Sequence, residues 1–231
     1  MRSRTQARYE AVIFDLDRTL IEHDQEPTEV FHAACSAAGI EPFCGAETLE
    51  LAAEIVRQQS ATLDAETYEH RIFETAAAAT GTEIPADELV RAYDDALDNG
   101  AVSLRPGADA ALTAATNRST AIVTNGPADT HATKLEAAGL TGRVDTVVYG
   151  TDTSRVKPAR EPFELALERL EVDPDEVLKV GDSLSKDVKG ANALGIDTAW
   201  IPFDDQDRTA GDPEPTYTIS SLSDLPGLLA G

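Results

Sequence analysis

Short runs rich in β-branched and apolar residues recur along this chain at 11–17, 119–124, 145–150, 177–181 and 196–201, with a weaker sixth, YTIS, at 217–220. Between the later runs lie helical patterns with recognisable ends: 130–138 closes on Gly139, 162–170 opens with Pro162 at a first-turn position, and 186–194 closes on Gly195. Strands that alternate with helices pair in parallel through crossovers, and the crossover helices cover the faces of the sheet. The spacing therefore predicts an α/β fold, a parallel sheet with helices on both faces.

Residues 22–100 read differently. They are rich in Ala and Glu, carry apolar residues at helical spacing (Leu49, Ala52, Ala53, Val56; Leu89, Ala92, Tyr93, Ala96) and show no strand pattern. Polar or turn-forming stretches bound them, at 23–27 on one side and from Asn99-Gly100 to Arg105-Pro106-Gly107 on the other. A helical insert after the first strand is expected. Neither a repeat of fixed period nor a low-complexity tract interrupts the chain.

Four polar features fall at or just past the C-terminal ends of the predicted strands. They are Asp15-Leu16-Asp17-Arg18-Thr19, Thr124-Asn125-Gly126, Lys157-Pro158 in the loop after the third strand, and Gly181-Asp182 with Asp187. In an open parallel sheet ligands bind at that edge, so residues distant in sequence are expected to converge there. Asp15 and Asp17, two apart on an extended strand, would point to one side and offer oxygens to one hard cation and one substrate, with Asp182 as a third anionic ligand. Crowded carboxylates repel one another unless a cation lies among them, which favours Mg²⁺. The Thr124 hydroxyl and the backbone N–H groups of Asn125 and Gly126, near a helix start, suit phosphate oxygens, and Lys157 places positive charge where a transferring phosphoryl group spreads its negative charge.

The DxD pattern alone carries little weight. With 22 Asp in the chain it is expected about twice by chance, and it recurs at 173–175 and 205–207. Context separates the copies. The first closes an apolar run and is followed in order by the other three features, whereas DQDRT at 205–209 lies among polar residues and reads as an acidic surface loop.

Taken together, DLDRT at 15–19, the apolar run ending in TNG at 121–126, KP at 157–158 and VGDSLSKD at 180–187 resemble the four ordered motifs of the haloacid dehalogenase-like hydrolase superfamily. The resemblance covers most of 11–231 outside the insert. It implies a Rossmann-like core (1–21 and 101–231) with an all-helical cap (22–100) inserted after the first strand. It also implies that Asp15 is the nucleophile and Asp17 the general acid and base. Mg²⁺ would be bound by Asp15, the main-chain carbonyl of Asp17 and Asp182, with Asp187 in its outer shell, and phosphate by Thr124, Asn125 and Lys157. The implied activity is that of a phosphatase acting through an aspartyl-phosphate on a small phosphomonoester: a sugar phosphate, a nucleotide or phosphoglycolate.

Other readings fit less well. The 2-haloacid dehalogenases of the superfamily use the same aspartate on carbon, need no metal and lack the second aspartate, but Asp17 and Asp182 are both present here. Phosphonatases need a cap lysine, and no lysine occurs from 22 to 133. Phosphomutases share the first half-reaction. A phospho-accepting signalling domain also joins Asp, Thr and Lys at strand ends, but with its acceptor on a later strand and without a large insert. TNG with an intact DxDxT leans towards sugar-phosphate and nucleotide phosphatases.

Arg57, Arg71 and Arg91 are the basic side chains of the insert apart from histidines, and surface pairing with glutamate is expected for most of them. Arg18 alternates away from Asp15 and Asp17 and is expected to pack or pair. His23, His32, His70 and His131 lack metal-ligand spacing and read as surface or core residues. Trp200 and Phe203 are expected to pack at the end of the fifth strand, and Cys35 and Cys44 to be reduced and structural.

Acidic residues number 42 against 19 basic, a formal charge of −23, and only five of the basic residues are Lys. Such a surface excludes nucleic acid as a partner. No apolar run approaches the ~18 residues of a membrane span, and the run after Arg2, Arg4 and Arg8 is cut by Asp15, unlike a signal peptide. Charge spread over a chain that is 42% hydrophobic points to a folded protein of a salt-rich cytosol, where screening damps self-repulsion. The melting temperature is therefore expected to rise from low to multimolar KCl, and a flat or falling profile would refute the halophilic reading.

Overall fold

The computed structural model describes residues 8–59, 65–203 and 210–230. Asp204 and the DQDRT copy at 205–209 lie outside the described residues, as does the side chain of Arg57. The chain divides into two compact units. One holds the described residues up to Glu22 and from Val102 onward, and the other is His23–Ala101.

The first unit is built on β1 (Ala11–Phe14), which lies between β4 (Ser119–Val123) and β6 (Val177–Gly181) in a sheet of order β5-β4-β1-β6-β7-β8. Here β5 is Thr146–Val148, β7 Asp197–Trp200 and β8 Tyr217–Thr218, and every neighbouring pair is parallel. Two short strands missed in the sequence, β2 (Ile21–His23) and β3 (Val102–Leu104), form a separate two-stranded sheet where the chain leaves this unit and returns. With three residues each they are too short to show a period.

All four residues of β1 are buried, because helices cover both faces of the sheet. Their alternation assigns the layers. Ala11 and Ile13 join Ala121, Val123 and Val177 against Phe163, Ala166, Leu167 and Leu170 of α7 (Glu161–Leu170). Val12 and Phe14 join Ile122, Leu178 and Val180 against α5 (Ala108–Ala115) and α9 (Leu225–Ala230). From β1 the chain builds outward first through β4 and β5, then through β6, β7 and β8. The order reverses at β1, and the carboxyl end of the strand at such a reversal is where α/β sheets bind ligands.

Element ends differ from the periodicity in ways that matter for the site. The predicted strand 11–17 stops at Phe14; Asp15 keeps one ladder bond, its N–H donating to Val180 O at 2.9 Å, and Asp17 makes only an isolated bridge with Ile21. The predicted helix 130–138 is α6 (Ala128–Ala137), and 186–194 becomes a π-helical turn, Leu184–Val188, followed by the short α8 (Lys189–Asn192). Such turns are frequent at functional sites.

The second unit contains α1 (Pro27–Ala37), α2 (Ala46–Gln59), α3 (Ala65–Thr80) and α4 (Ala86–Ala96). Its core gathers Phe31, Ala34, Cys35, Phe73, Leu89 and Val90, with Phe31 edge-on to Phe43 at 5.2 Å and Phe73 edge-on to Tyr93 at 5.4 Å, geometries that ring quadrupoles favour. Both cysteines are free, and burial pushes the Cys35 thiol up to about 11, so it stays protonated. Arg91 donates to Asp87 O, and His70 lies between Glu74 and Asp87, local pairings of the structural kind. Among the described residues no helix is long and apolar enough to cross a membrane.

Phe163 is fully buried, and a Cβ at Gly190 would run into its ring. Phe163→Ala should remove about 3–5 kcal/mol of stability through the cavity it leaves, read from chemical denaturation; a loss under about 1 kcal/mol would mean the layer collapses to fill it.

Candidate active site

The site grows from the carboxyl ends of β1, β4 and β6. One residue past β1, Asp15 is 7% exposed and its carboxylate is held at both oxygens: Oδ1 accepts from Lys157 Nζ at 2.5 Å and Oδ2 from the Thr19 hydroxyl at 3.1 Å. Lys157 also donates to Val123 O at 2.8 Å and to Asp187 Oδ1 at 2.8 Å. Burial would lower the Lys157 ammonium, but the facing Asp15 and Asp187 charges outweigh it and raise the group above its usual range. Lys157 follows β5 in the chain and precedes a cis peptide to Pro158. Its loop is pinned by Asn125, whose Oδ1 accepts from Lys157 N at 2.9 Å and whose Nδ2 donates to Lys157 O at 3.0 Å. The Asn125 amide is thus committed to the main chain that presents the lysine. Beside it, the Thr124 hydroxyl accepts from Gly126 N at 3.3 Å.

From β6 come Asp182 and, through the π-helical turn, Asp187. Asp187 Oδ1 accepts from Lys157 and, at 3.0 Å, from Lys179, and Oδ2 accepts from Ser183 N at 3.3 Å. Burial alone would raise the Asp187 carboxyl; Lys157 and Lys179 hold it down to about 2. The glycine of VGD makes this approach possible, since a Cβ on Gly181 would lie 2.5 Å from Asp187 Cγ. Lys179 is wholly buried on β6, where burial pushes its ammonium down, Lys157 adds to that and Asp187 opposes it. Asp182 accepts from the Thr19 hydroxyl at 3.4 Å, and its carbonyl accepts from the Trp200 indole at 2.7 Å. Carboxylate oxygens of Asp15, Asp182 and Asp187 lie within 4.8 Å of one another, an oxygen-only donor set that fits a hard divalent cation such as Mg²⁺.

The Asp17 side chain does not share this ring with Asp15. The chain leaves the strand before it, and its carboxylate turns to α6, where Oδ2 meets His131 Nε2 at 2.8 Å and Oδ1 meets Lys134 Nζ at 2.7 Å. Burial would raise this carboxyl, but the contacts from His131 and Lys134 outweigh it and hold it below the usual range. Arg18 adopts a left-handed φ of 61°, and its guanidinium stacks over Phe203 at 5.2 Å.

The structure thus brings Asp15, Lys157, Asp182 and Asp187 together, with Thr124 and Asn125 on the adjoining strand end and Asp17 alongside. Sequence reasoning missed Lys179, Lys134 and His131, the last assigned to surface or core. A signal existed: only five lysines occur in the chain, and three of them, Lys134, Lys157 and Lys179, meet carboxylates here. His131 and Lys134 also stand three apart on the helix that follows TNG.

Comparison with known proteins places the chain in a family. A family profile described as haloacid dehalogenase-like hydrolase matches residues 12–201. A ribulose-1,5-bisphosphate 5-phosphatase from Halopiger xanaduensis is 35% identical over 117 residues, 48% of this chain and 49% of that protein. A phosphoserine phosphatase from Thermus thermophilus is 33% identical over 163 residues, 68% of this chain and 64% of its own. The chain spans about half the length of the first of these relatives. A crystal structure of YfnB from Bacillus subtilis, bound to magnesium, superposes with a TM-score of 0.78 at 24% identity, covering 96% of this chain and 99% of that one.

Burial, then the nearby Asp15 and Asp187 charges, push the Asp182 carboxyl up to about 7 from an ordinary 3.8. A raised carboxyl stabilises the fold below its unfolded pKa and loses that contribution as pH rises through the folded one. Metal-free protein should therefore lose stability between about pH 3.8 and about pH 7 through this group. The Asp187 contribution changes only below that window, towards about pH 2. Asp182→Asn should flatten the slope in denaturation midpoints taken across the window, and an unchanged slope would assign it to another group.

Proposed function

The chain belongs to the haloacid dehalogenase-like hydrolases, and from that premise we propose that it is a Mg²⁺-dependent phosphomonoester hydrolase working through an aspartyl-phosphate on Asp15. The observation that carries this reading is the Asp15 carboxylate itself. It sits nearly buried past the central strand, aimed by Lys157 and Thr19, beside two further carboxylates. A nucleophile so held has a fixed direction of attack, and the adjacent ammonium opposes the negative charge that develops on phosphoryl oxygens.

In the first half-reaction an Asp15 oxygen bonds to phosphorus as the ester P–O bond breaks, and Asp17, which must first take up a proton from solvent against the hold of His131 and Lys134, gives that proton to the departing oxygen. In the second, Asp17 takes a proton from water, the water oxygen bonds to phosphorus, and the bond from Asp15 to phosphorus breaks. Ester and water become alcohol and phosphate, and both carboxyl groups return to their starting states. Mg²⁺, held by Asp15, Asp182 and the Asp17 carbonyl with Asp187 behind, would neutralise the phosphoryl charge. Thr124 and Lys157 bind the phosphoryl oxygens in this reading, and Asn125 serves them by fixing the Lys157 loop.

The relatives named for activity on ribulose bisphosphate and on phosphoserine support a small phosphorylated metabolite as substrate, of the sugar-phosphate, nucleotide or phosphoglycolate kind. In the same reading the helical insert is a cap that selects it, and the charge of −23 suits a salt-rich cytosol. At multimolar KCl with Mg²⁺, Asp15→Asn and Asp17→Asn should each lower turnover of phosphomonoesters by about 10³-fold or more without unfolding the protein. Excess EDTA should abolish activity and Mg²⁺ restore it. Chloride release from 2-chloropropionate with full activity in EDTA would establish the dehalogenase instead, and one phosphoryl group trapped without turnover would establish a signalling acceptor.

A further inference from the structure

Asp17 is held by a pair of side chains that the four motifs do not contain. Lys134 and His131 lie one turn apart on the same face of α6, and their side chains are only 9% and 10% exposed. Each takes one oxygen of the carboxylate, at 2.7 and 2.8 Å. The ring of His131 is itself fixed. Its Nδ1 lies 3.0 Å from the Thr130 hydroxyl, so Nε2 can donate to Asp17 while Nδ1 accepts from Thr130. Its place is kept clear by Gly126, where any Cβ would overlap the imidazole. The third residue of TNG therefore makes room for this histidine.

We infer that His131 and Lys134 are positioning residues that set where the Asp17 carboxyl group stands relative to the leaving oxygen, so that α6 governs proton delivery although neither residue belongs to the phosphate or metal site. The inference rests on the proposed role of Asp17. Asp17 follows the end of β1 in a loop whose main chain is tied by Arg18 N to Ile21 O at 2.8 Å and by three N–H groups converging on Leu16 O. Those bonds fix the backbone and leave the side-chain torsions open. The two contacts from α6 are the side-chain partners of Asp17 among the described residues, and they restrict both torsions at once. An ion pair with its lysine buried and its carboxylate partly so is weak evidence for stability, because removing water from the charges is costly. In a chain with five lysines, one buried on this carboxylate is better explained by orientation, where small misplacements change rates by large factors.

The test compares kcat/KM, which reports the step that expels the leaving group, on phenyl phosphate and p-nitrophenyl phosphate. The two are close in shape, but phenolate is the poorer leaving group and depends more on a proton. Wild-type turnover of both, with Mg²⁺ in multimolar KCl, checks the underlying reading independently; no turnover of either would defeat that reading rather than this one. Lys134→Met and His131→Ala should lower kcat/KM on phenyl phosphate by about 10²-fold and on p-nitrophenyl phosphate by less than about tenfold. His131→Gln, which retains an N–H donor, should recover most of the loss. Equal losses on both substrates, no recovery with Gln, or a rise in rate on freeing Asp17 would overturn the positioning role. Should Lys134→Met fail to fold, the two His131 variants decide the question by themselves.

Discussion

Four buried groups of alternating sign run through the first unit: Asp15, Lys157, Asp187 and Lys179, each joined to the next at 2.5, 2.8 and 3.0 Å. Isolated, any one of them would be too costly to keep charged away from water. Together they neutralise in sequence, and the leftover lone pairs and protons find Thr19, Val123 O, Val180 O and Ser183 N. The chain of charges determines much around it. Gly181 has no side chain because Asp187 fills that space, and the π-helical turn at Leu184–Val188 delivers Asp187 back towards the strand it follows. Asp182 is left as the carboxylate without an ammonium of its own, so burial and then the Asp15 and Asp187 charges raise its proton affinity.

The sheet supplies the geometry. Positions 11, 13 and 15 lie on one side of β1, and 177, 179 and 181 on the same side of β6, so Asp15 and Lys179 extend the layer that packs on α7. That layer is apolar until it reaches the carboxyl ends, where it becomes ionic. The change coincides with the reversal of strand order at β1, where no crossover helix closes the edge. A site assembled this way depends on rigid strands for Asp15 and on loops and helix starts for the rest. Asp15 and Asp17 diverge for that reason: the first is still held by the ladder through Val180 O, and the second is already in a loop and takes its direction from α6.

Much of this was legible in the chain. Runs of β-branched residues ending in Asp, Thr-Asn-Gly or Gly-Asp placed the strands of the large sheet and the edge where polar groups gather, because a parallel sheet buried on both faces leaves a strong apolar signature. What escaped reading were features without a local period. β2 and β3 are shorter than any repeat that could reveal them. Lys179 lies inside an otherwise apolar run, VLKVG, where it looks like an interruption until Asp187 comes to face it. His131 and Lys134 looked like ordinary polar positions of an amphipathic helix, since nothing in α6 alone shows that its inner face meets a carboxylate 114 and 117 residues earlier.

Salt separates the two kinds of charge in this molecule. At the surface, where most of the 42 acidic residues stand against few cations, repulsion acts through water and falls as the Debye length shrinks to about 3 Å at molar salt. Within the site the partners are in direct contact and shielded from ions, so the same salt leaves their attraction almost unchanged. A chain that buries three of its five lysines against carboxylates, two of those carboxylates themselves buried and Asp17 partly so, therefore keeps its strong pairs where screening is weak and its excess negative charge where it is strong. Exposed pairs such as Arg160 with Glu164 or Arg155 with Glu161 belong to the screened class and contribute little to the fold. Concentrating lysine in the interior lets the surface become more acidic without weakening the charges that hold Asp15 and Asp17 in place.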